Sequence, residues 1–135
     1  MKIHSLTVCD FVRREDNGKF IIIGAYTNEI IFSSLPSPFF LSLWFLLEHE
    51  KVGVDKIALR GVLGGQAEPV FFIEGEVDVI DTSNWSPMAL GTGITILEPG
   101  TLTIDAKLGD EDWETVRELR ITMGPIFSTG GSGPS

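Results

Sequence analysis

Few side chains in this sequence are reactive, and their spacing limits what they can do. The one cysteine, Cys9, could act as a nucleophile only with a base close enough to draw off its proton. The two imidazoles are His4 and His49. In an extended segment His4, five residues before Cys9, points to the opposite face, and His49 reaches Cys9 only through tertiary pairing. Cys9 therefore reads as a small buried hydrophobe. Asp10 beside it reads as a partner for backbone groups or for Arg13 or Arg14. No serine, histidine and acid suggest an acyl-transfer triad, because neither histidine lies in a strand-to-helix elbow. The glycine run 61–65 lacks the Lys-Ser/Thr of a phosphate loop and no helix follows it, so it reads as a turn. These patterns predict no catalytic residue, no cofactor and no enzyme.

A second possible chemistry is cation binding. If successive strands simply alternate direction, with 19–32 as one bent strand, one end collects Glu15, Asp16, Glu48, Glu50, Asp55, Asp81, Asp110, Glu111 and Asp112. Loops that supply carboxylates at one end of a β domain can hold a hard cation such as calcium. Asp81, Asp110 and Asp112 are the candidates. Against them, Arg13, Arg14, Lys19, Lys51 and Lys56 fall at the same end, and residues 110–112 are contiguous acids without calcium-loop spacing. The expectation is a solvated acidic cap without a metal.

The elements that position these residues are strands. Apolar and polar residues alternate with a period of two over 2–14, 54–63, 70–81, 101–108 and 113–123, and nowhere recur at helical spacing. Asp16-Asn17-Gly18 reads as a hairpin turn into a strand over 19–26, where Gly24 suggests a bulge or close backbone approach. Pro36 and Pro38 break the chain before a strand over 39–50, and a further strand covers 88–97. On these strands Phe71, Ile73, Val77, Val79, Leu102, Ile104, Leu119 and Ile121 form the expected core. About eight strands with short turns predict an all-β, immunoglobulin-like or Greek-key β-sandwich.

The opening residues Cys9-Asp10-Phe11-Val12-Arg13, then Asn17-Gly18-Lys19 and Ile22-Ile23-Gly24-Ala25-Tyr26, carry a resemblance. They resemble the C-D-x-V-R … G-K-x-x-x-I-G-x-Y/F opening of an uncharacterised family of small bacterial and phage all-β domains. Pro99-Gly100-Thr101-Leu102-Thr103-Ile104 is similar to the Pro-Gly strand that closes them, with Thr101 and Leu102 where tyrosine often stands. The resemblance implies an all-β fold and brings no activity with it.

The chain has 135 residues, a length for one domain, taken as 1–127 with a flexible Gly/Ser-rich tail over 128–135. Its 10 basic and 19 acidic residues give a net charge of −9, the opposite of a nucleic-acid footprint. No apolar run is long enough for a membrane span, and no export signal is visible. With one unpaired cysteine, the expected compartment is the cytoplasm.

The apolar residues are over-supplied in two places. Phe20, Ile21, Ile22 and Ile23 are consecutive. In 39–47, Phe39, Leu41, Leu43, Phe45 and Leu47 take one face while Phe40, Trp44 and Leu46 take the other. A two-layer sandwich buries one face of each sheet, so the second set needs its own cover. That cover is either a loop such as 30–38 or another subunit. Phe40, Trp44, Leu46, Ile21 and Ile23 are the candidate interface, and the expected partner is protein, with self-association into a homo-oligomer. The functional expectation is a non-enzymatic interaction or structural module. The alternatives are a small-ligand or cation-binding domain using the acidic end, or an acidic phage-type inhibitor. The inhibitor requires Glu74, Glu76, Asp78, Glu114 and Glu118 to form one continuous stripe.

Overall fold

The computed structural model describes residues 1–124. The expected domain end at 127 and the tail over 128–135 lie outside the described residues. The described residues form nine strands: β1 (Lys2–Arg14), β2 (Phe20–Tyr26), β3 (Glu29–Phe32), β4 (Ser37–Glu48), β5 (Gly53–Leu63), β6 (Phe71–Val79), β7 (Ser86–Ile96), β8 (Gly100–Leu108) and β9 (Glu114–Met123). They form a four-stranded sheet in the order β2-β1-β4-β7 and a five-stranded sheet in the order β3-β9-β8-β5-β6. The two sheets enclose one core, so the predicted all-β sandwich is the fold. No helix among the described residues is long and apolar enough to cross a membrane.

Alternation decides which residues fill the core. Leu41, Leu43, Phe45 and Leu47 of β4 are buried, as are Leu59 and Leu63 of β5, Phe71, Val77 and Val79 of β6, Leu102 and Ile104 of β8, and Leu119 and Ile121 of β9. Ile73 is half-buried, because β6 is the edge of its sheet. The side-chain period of two makes this rule strict: a one-residue slip would bring Glu74 and Glu76 inside.

The β1–β2 turn forms as expected. The Gly18 N–H donates to the Glu15 carbonyl at 3.1 Å and the Glu15 N–H to the Lys19 carbonyl at 2.7 Å. Three expectations need correction. First, 19–32 is not one bent strand. The chain reverses at Thr27 and Asn28 and crosses to the other sheet, where β3 pairs parallel with β9. The β1–β2 turn, with Glu15 and Asp16, therefore leaves the far end of β1 from the acidic loops. Second, the prolines do not bar pairing: Pro38 lies in β4 opposite Thr95. β1 pairs with β4 only as far as Cys9, so β4 has one neighbour at Pro38 and tolerates its missing N–H. Third, residues 61–63 belong to β5, and the turn begins at Gly64.

Candidate functional site

The candidate interface residues occupy the outward side of the four-stranded sheet and its hairpin. Phe11 lies across from Ile23, with Ile21 two residues along on the same face. Phe11 and Phe40 together line a shallow cavity of about 200 Å³ with Ser42, Ala89 and Gly91. Phe11, Ile21, Ile23 and Phe40 are 51%, 40%, 49% and 56% exposed. This is a joined patch of large apolar side chains facing solvent. The Phe40 ring crosses Gly91, where an added Cβ would stand 2.7 Å from it, so only glycine leaves room for the ring there.

Trp44 and Leu46 behave differently, because both are half-buried. Trp44 lies across from Thr7, whereas Phe20 lies across from Arg14. A straight β1 would separate those two rows by roughly 23 Å at about 3.3 Å per residue. The Phe20 and Trp44 ring centroids are 6.1 Å apart. The β1–β2 hairpin therefore curls back over β4. Phe11 and Val12 likewise share the small cavity with Ala89, Leu90 and Gly91 of β7, two strands away from β1. The cover over Trp44 thus comes from the chain's own hairpin, where the sequence had pointed to the 30–38 loop or a second subunit. The indole Nε1 beneath it is buried without a hydrogen-bond partner among the described residues. Leu46 sits between His4 and Pro87 in the ladder.

The hairpin hinges at Cys9 and Asp10. The Tyr26 hydroxyl donates to Asp10 Oδ1 at 2.5 Å, and the Asp10 side chain fills the space over Gly24. An added Cβ on Gly24 would lie 2.3 Å from Asp10 Oδ2, and the residue has φ of 69°. The β1–β2 register runs through this point without slipping, so Gly24 is a close approach by a side chain and no bulge. Burial, the Asp10 hydrogen bond and the Asp10 charge all push the Tyr26 hydroxyl above its ordinary range. Cys9 is fully buried, and its Sγ faces the Ser42 carbonyl at 3.7 Å. Burial is the main cause that raises its pKa; the Asp10 charge adds to it and a backbone hydrogen bond at Phe11 opposes it. A thiol held protonated has little nucleophilic character.

The parity assigned to His4 is corrected by a bulge. The β1–β4 register shifts between His4 and Thr7, with Ser5 at a φ of 57°. The extra residue brings His4 and Cys9 to the same face, each across from an even-numbered residue of β4. His4 Nε2 nevertheless contacts Glu48 Oε1 at 2.6 Å, and its ring stacks on Trp85 at 4.2 Å with the planes 5° apart. The imidazole is thereby occupied well away from the thiol. His49 is buried and its Nε2 lies 2.7 Å from Ser86 Oγ. This Ser–His contact was not legible in the sequence, since the two lie 37 residues apart. Among the described residues no carboxylate orients the ring, for Nδ1 is buried and has no hydrogen-bond partner there. It ties the β4–β5 loop to the start of β7.

The acidic candidates do not converge. Asp81 accepts from the Ser83 N–H at 2.9 Å and the Ser83 hydroxyl at 2.7 Å, which lowers its pKa and closes the loop after β6. Asp110 and Asp112 sit in the β8–β9 turn, across β5 from the β6 edge. Among the described residues no group of three or more His, Cys, Asp or Glu side chains is placed to hold a metal ion. Acids on the outward side of the five-stranded sheet alternate with bases. Glu76 lies across from Lys56, Glu74 shares a row with Lys107, and Glu118 is two residues from Arg120.

Arg117 shares the parity of the buried Leu119 and Ile121 on β9 and points between the sheets. It lies across from the buried Ile104 in the unbroken part of the β8–β9 register; the one-residue slip between Ile104 and Asp105 comes just beyond it and sets Thr115 across from Asp105. Its guanidinium donates to the Leu6 and Tyr26 carbonyls at 3.0 Å each and to the Thr27 carbonyl. It joins β9 to β1 and to the crossing after β2. Alternation gives its inward direction, but its carbonyl partners lie 90 to 111 residues away, beyond the reach of a local pattern.

No protein-family model matches the chain, and no curated protein matches it. Among solved structures, a β-glucosidase from Erythrobacter marinus is similar at a TM-score of 0.46 and 9% identity. The match covers 89% of this chain and 15% of the glucosidase. A likeness that slight assigns neither fold nor activity.

Proposed function

We propose that this chain is a protein-interaction module that works through the outward side of its four-stranded sheet and hairpin, with a second copy of itself as partner. The observation that carries the reading is the joined patch of Phe11, Ile21, Ile23 and Phe40, each two-fifths or more exposed. Apolar patches of this kind mark interaction surfaces, and aromatic residues are enriched among interface anchors. The reactive groups support a non-enzymatic role: the thiol is held protonated, His4 is engaged by Glu48, and His49 has no orienting carboxylate among the described residues. A reducing compartment such as the cytoplasm fits one buried, unpaired thiol.

Light scattering across the micromolar range tests the reading. The expected result is a concentration-dependent rise from monomer mass, weakened by Ile21→Glu with Ile23→Glu. A constant monomer mass at all concentrations overturns it.

A further inference from the structure

We infer that the free edge of β7 is the site where a second copy adds its own β7, antiparallel across a two-fold axis, so that two four-stranded sheets become one of eight strands. This deepens the self-association proposed above by naming its geometry.

The four edge strands differ in how they discourage pairing. β3 has four residues. β2 carries the left-handed Gly24 and curls with its hairpin. β6 holds Glu74, Glu76 and Asp78 within nine residues, and a second β6 would set acids against acids. β7 has none of these three devices, and its one proline, Pro87, stands at the second residue and leaves the N–H groups of 88–96 intact. It runs eleven residues, Ser86–Ile96, with no charged side chain in a chain of net charge −9. It is paired along its whole length with β4 and, among the described residues, with no strand on its other side. A long, uncharged edge presents a row of open N–H and C=O groups to another strand.

The occupant follows from charge. A partner strand must lie close to β7 without bringing like charges together. Another β7 satisfies this in every register, because no position carries a charge. The two-fold arrangement is also the commonest closed one for identical chains. It leaves Phe40 of each copy beside the new seam, since Phe40 crosses Gly91, and so extends the apolar patch across both copies.

Sedimentation velocity with hydrogen exchange on the whole chain tests this. Gly93→Lys with Thr95→Lys places lysines on exposed positions of the edge, and an added side chain at Gly93 meets nothing within 4 Å, so the fold accommodates it. The expected result is a dimer that this variant weakens tenfold or more, that strengthens with added salt, and whose β7 amides gain protection as concentration rises. A dimer lost in Ile21→Glu with Ile23→Glu but kept in the lysine variant overturns the edge and leaves the patch reading standing. Where both variants dissociate the dimer, exchange in the unmodified chain decides: no gain of protection in β7 overturns the edge. A monomer throughout overturns both.

Discussion

On the outward side of the five-stranded sheet, Lys56 lies across from Glu76 and Arg60 across from Asp105. On the outward side of the four-stranded sheet and its hairpin, Phe11 lies across from Ile23 and Phe40 across from Gly93. The first surface satisfies its charged groups within the chain, although Phe72 and Val54 on it are exposed. Arg60 Nε donates to Asp105 at 3.0 Å while its guanidinium lies 4.2 Å over Trp113, and the Thr115 hydroxyl donates to the same carboxylate at 2.9 Å. The second surface sets aromatic rings against glycine and leaves them half in solvent. Both are made by the same alternation, so the difference lies in which residues the outward positions received. A sheet whose cross-strand partners satisfy each other needs nothing further. One whose large residues face small ones has surface to share.

The largest expected effect tests the inward assignment common to both sheets. Ile104→Ala, at a fully buried position, should cost about 2–5 kcal/mol in chemical denaturation, against about 0.5 kcal/mol or less for Thr103→Ala beside it. Equal costs would break the comparison at its base. Next, Gly24→Ala should cost about 1–3 kcal/mol, because a Cβ meets Asp10 in a left-handed backbone. Asp10→Ala in the same chain should return part of that loss. On the charged side, Arg60→Ala should cost about 1–3 kcal/mol by stranding the buried Asp105, while Lys56→Ala, at an exposed position, stays within about 0.5 kcal/mol.

A pH titration sharpens the contrast, since both of its groups belong to the four-stranded sheet. Cys9 and Tyr26 are held above ordinary values of 9.0 and 10.0. The unfolded chain releases these protons first as pH rises. The stability they contribute is therefore complete below about pH 9 and declines as pH climbs beyond it. Tyr26→Phe should flatten that decline above pH 10, read as the slope of unfolding free energy against pH. A slope unchanged by Tyr26→Phe would remove Tyr26 from this account.

The strands and the inward face were legible because alternation is a local property: Leu102, Ile104, Leu119 and Ile121 could be placed inside without knowing their neighbours. What was hidden needed one residue more or less. The bulge at Ser5 moved His4 to the face of Cys9, and the slip beside Ile104 turned Thr115 to the face of Asp105. The reversal at Thr27 and Asn28 was hidden by two apolar strands joined without glycine or proline between them. In the candidate site, the apolar excess of β4 was legible, but its cover was not. The 6.1 Å approach of Phe20 to Trp44 depends on a curl that no pattern in β1 or β2 announces. The string from Cys9 to Tyr26 can now be read physically, since Asp10, Gly24 and Tyr26 meet at one point.

The Arg117 clasp also has a consequence for the order in which a ribosome delivers the fold. All four strands of β2-β1-β4-β7 lie within the first 96 residues, so that sheet can be complete on the emerging chain. Its opposite number cannot. β8 and β9 occupy the middle of β3-β9-β8-β5-β6, and without them β3 has no neighbour. Arg117 arrives 91 and 111 residues after the carbonyls of Tyr26 and Leu6 that it joins. Closure is thus a late, long-range event, of the kind that slows folding. Until it happens the nascent chain holds a finished sheet with its inner face open and an uncharged edge along β7. The interval between residue 96 and residue 117 leaving the ribosome is when this chain is most exposed to mispairing with its own kind.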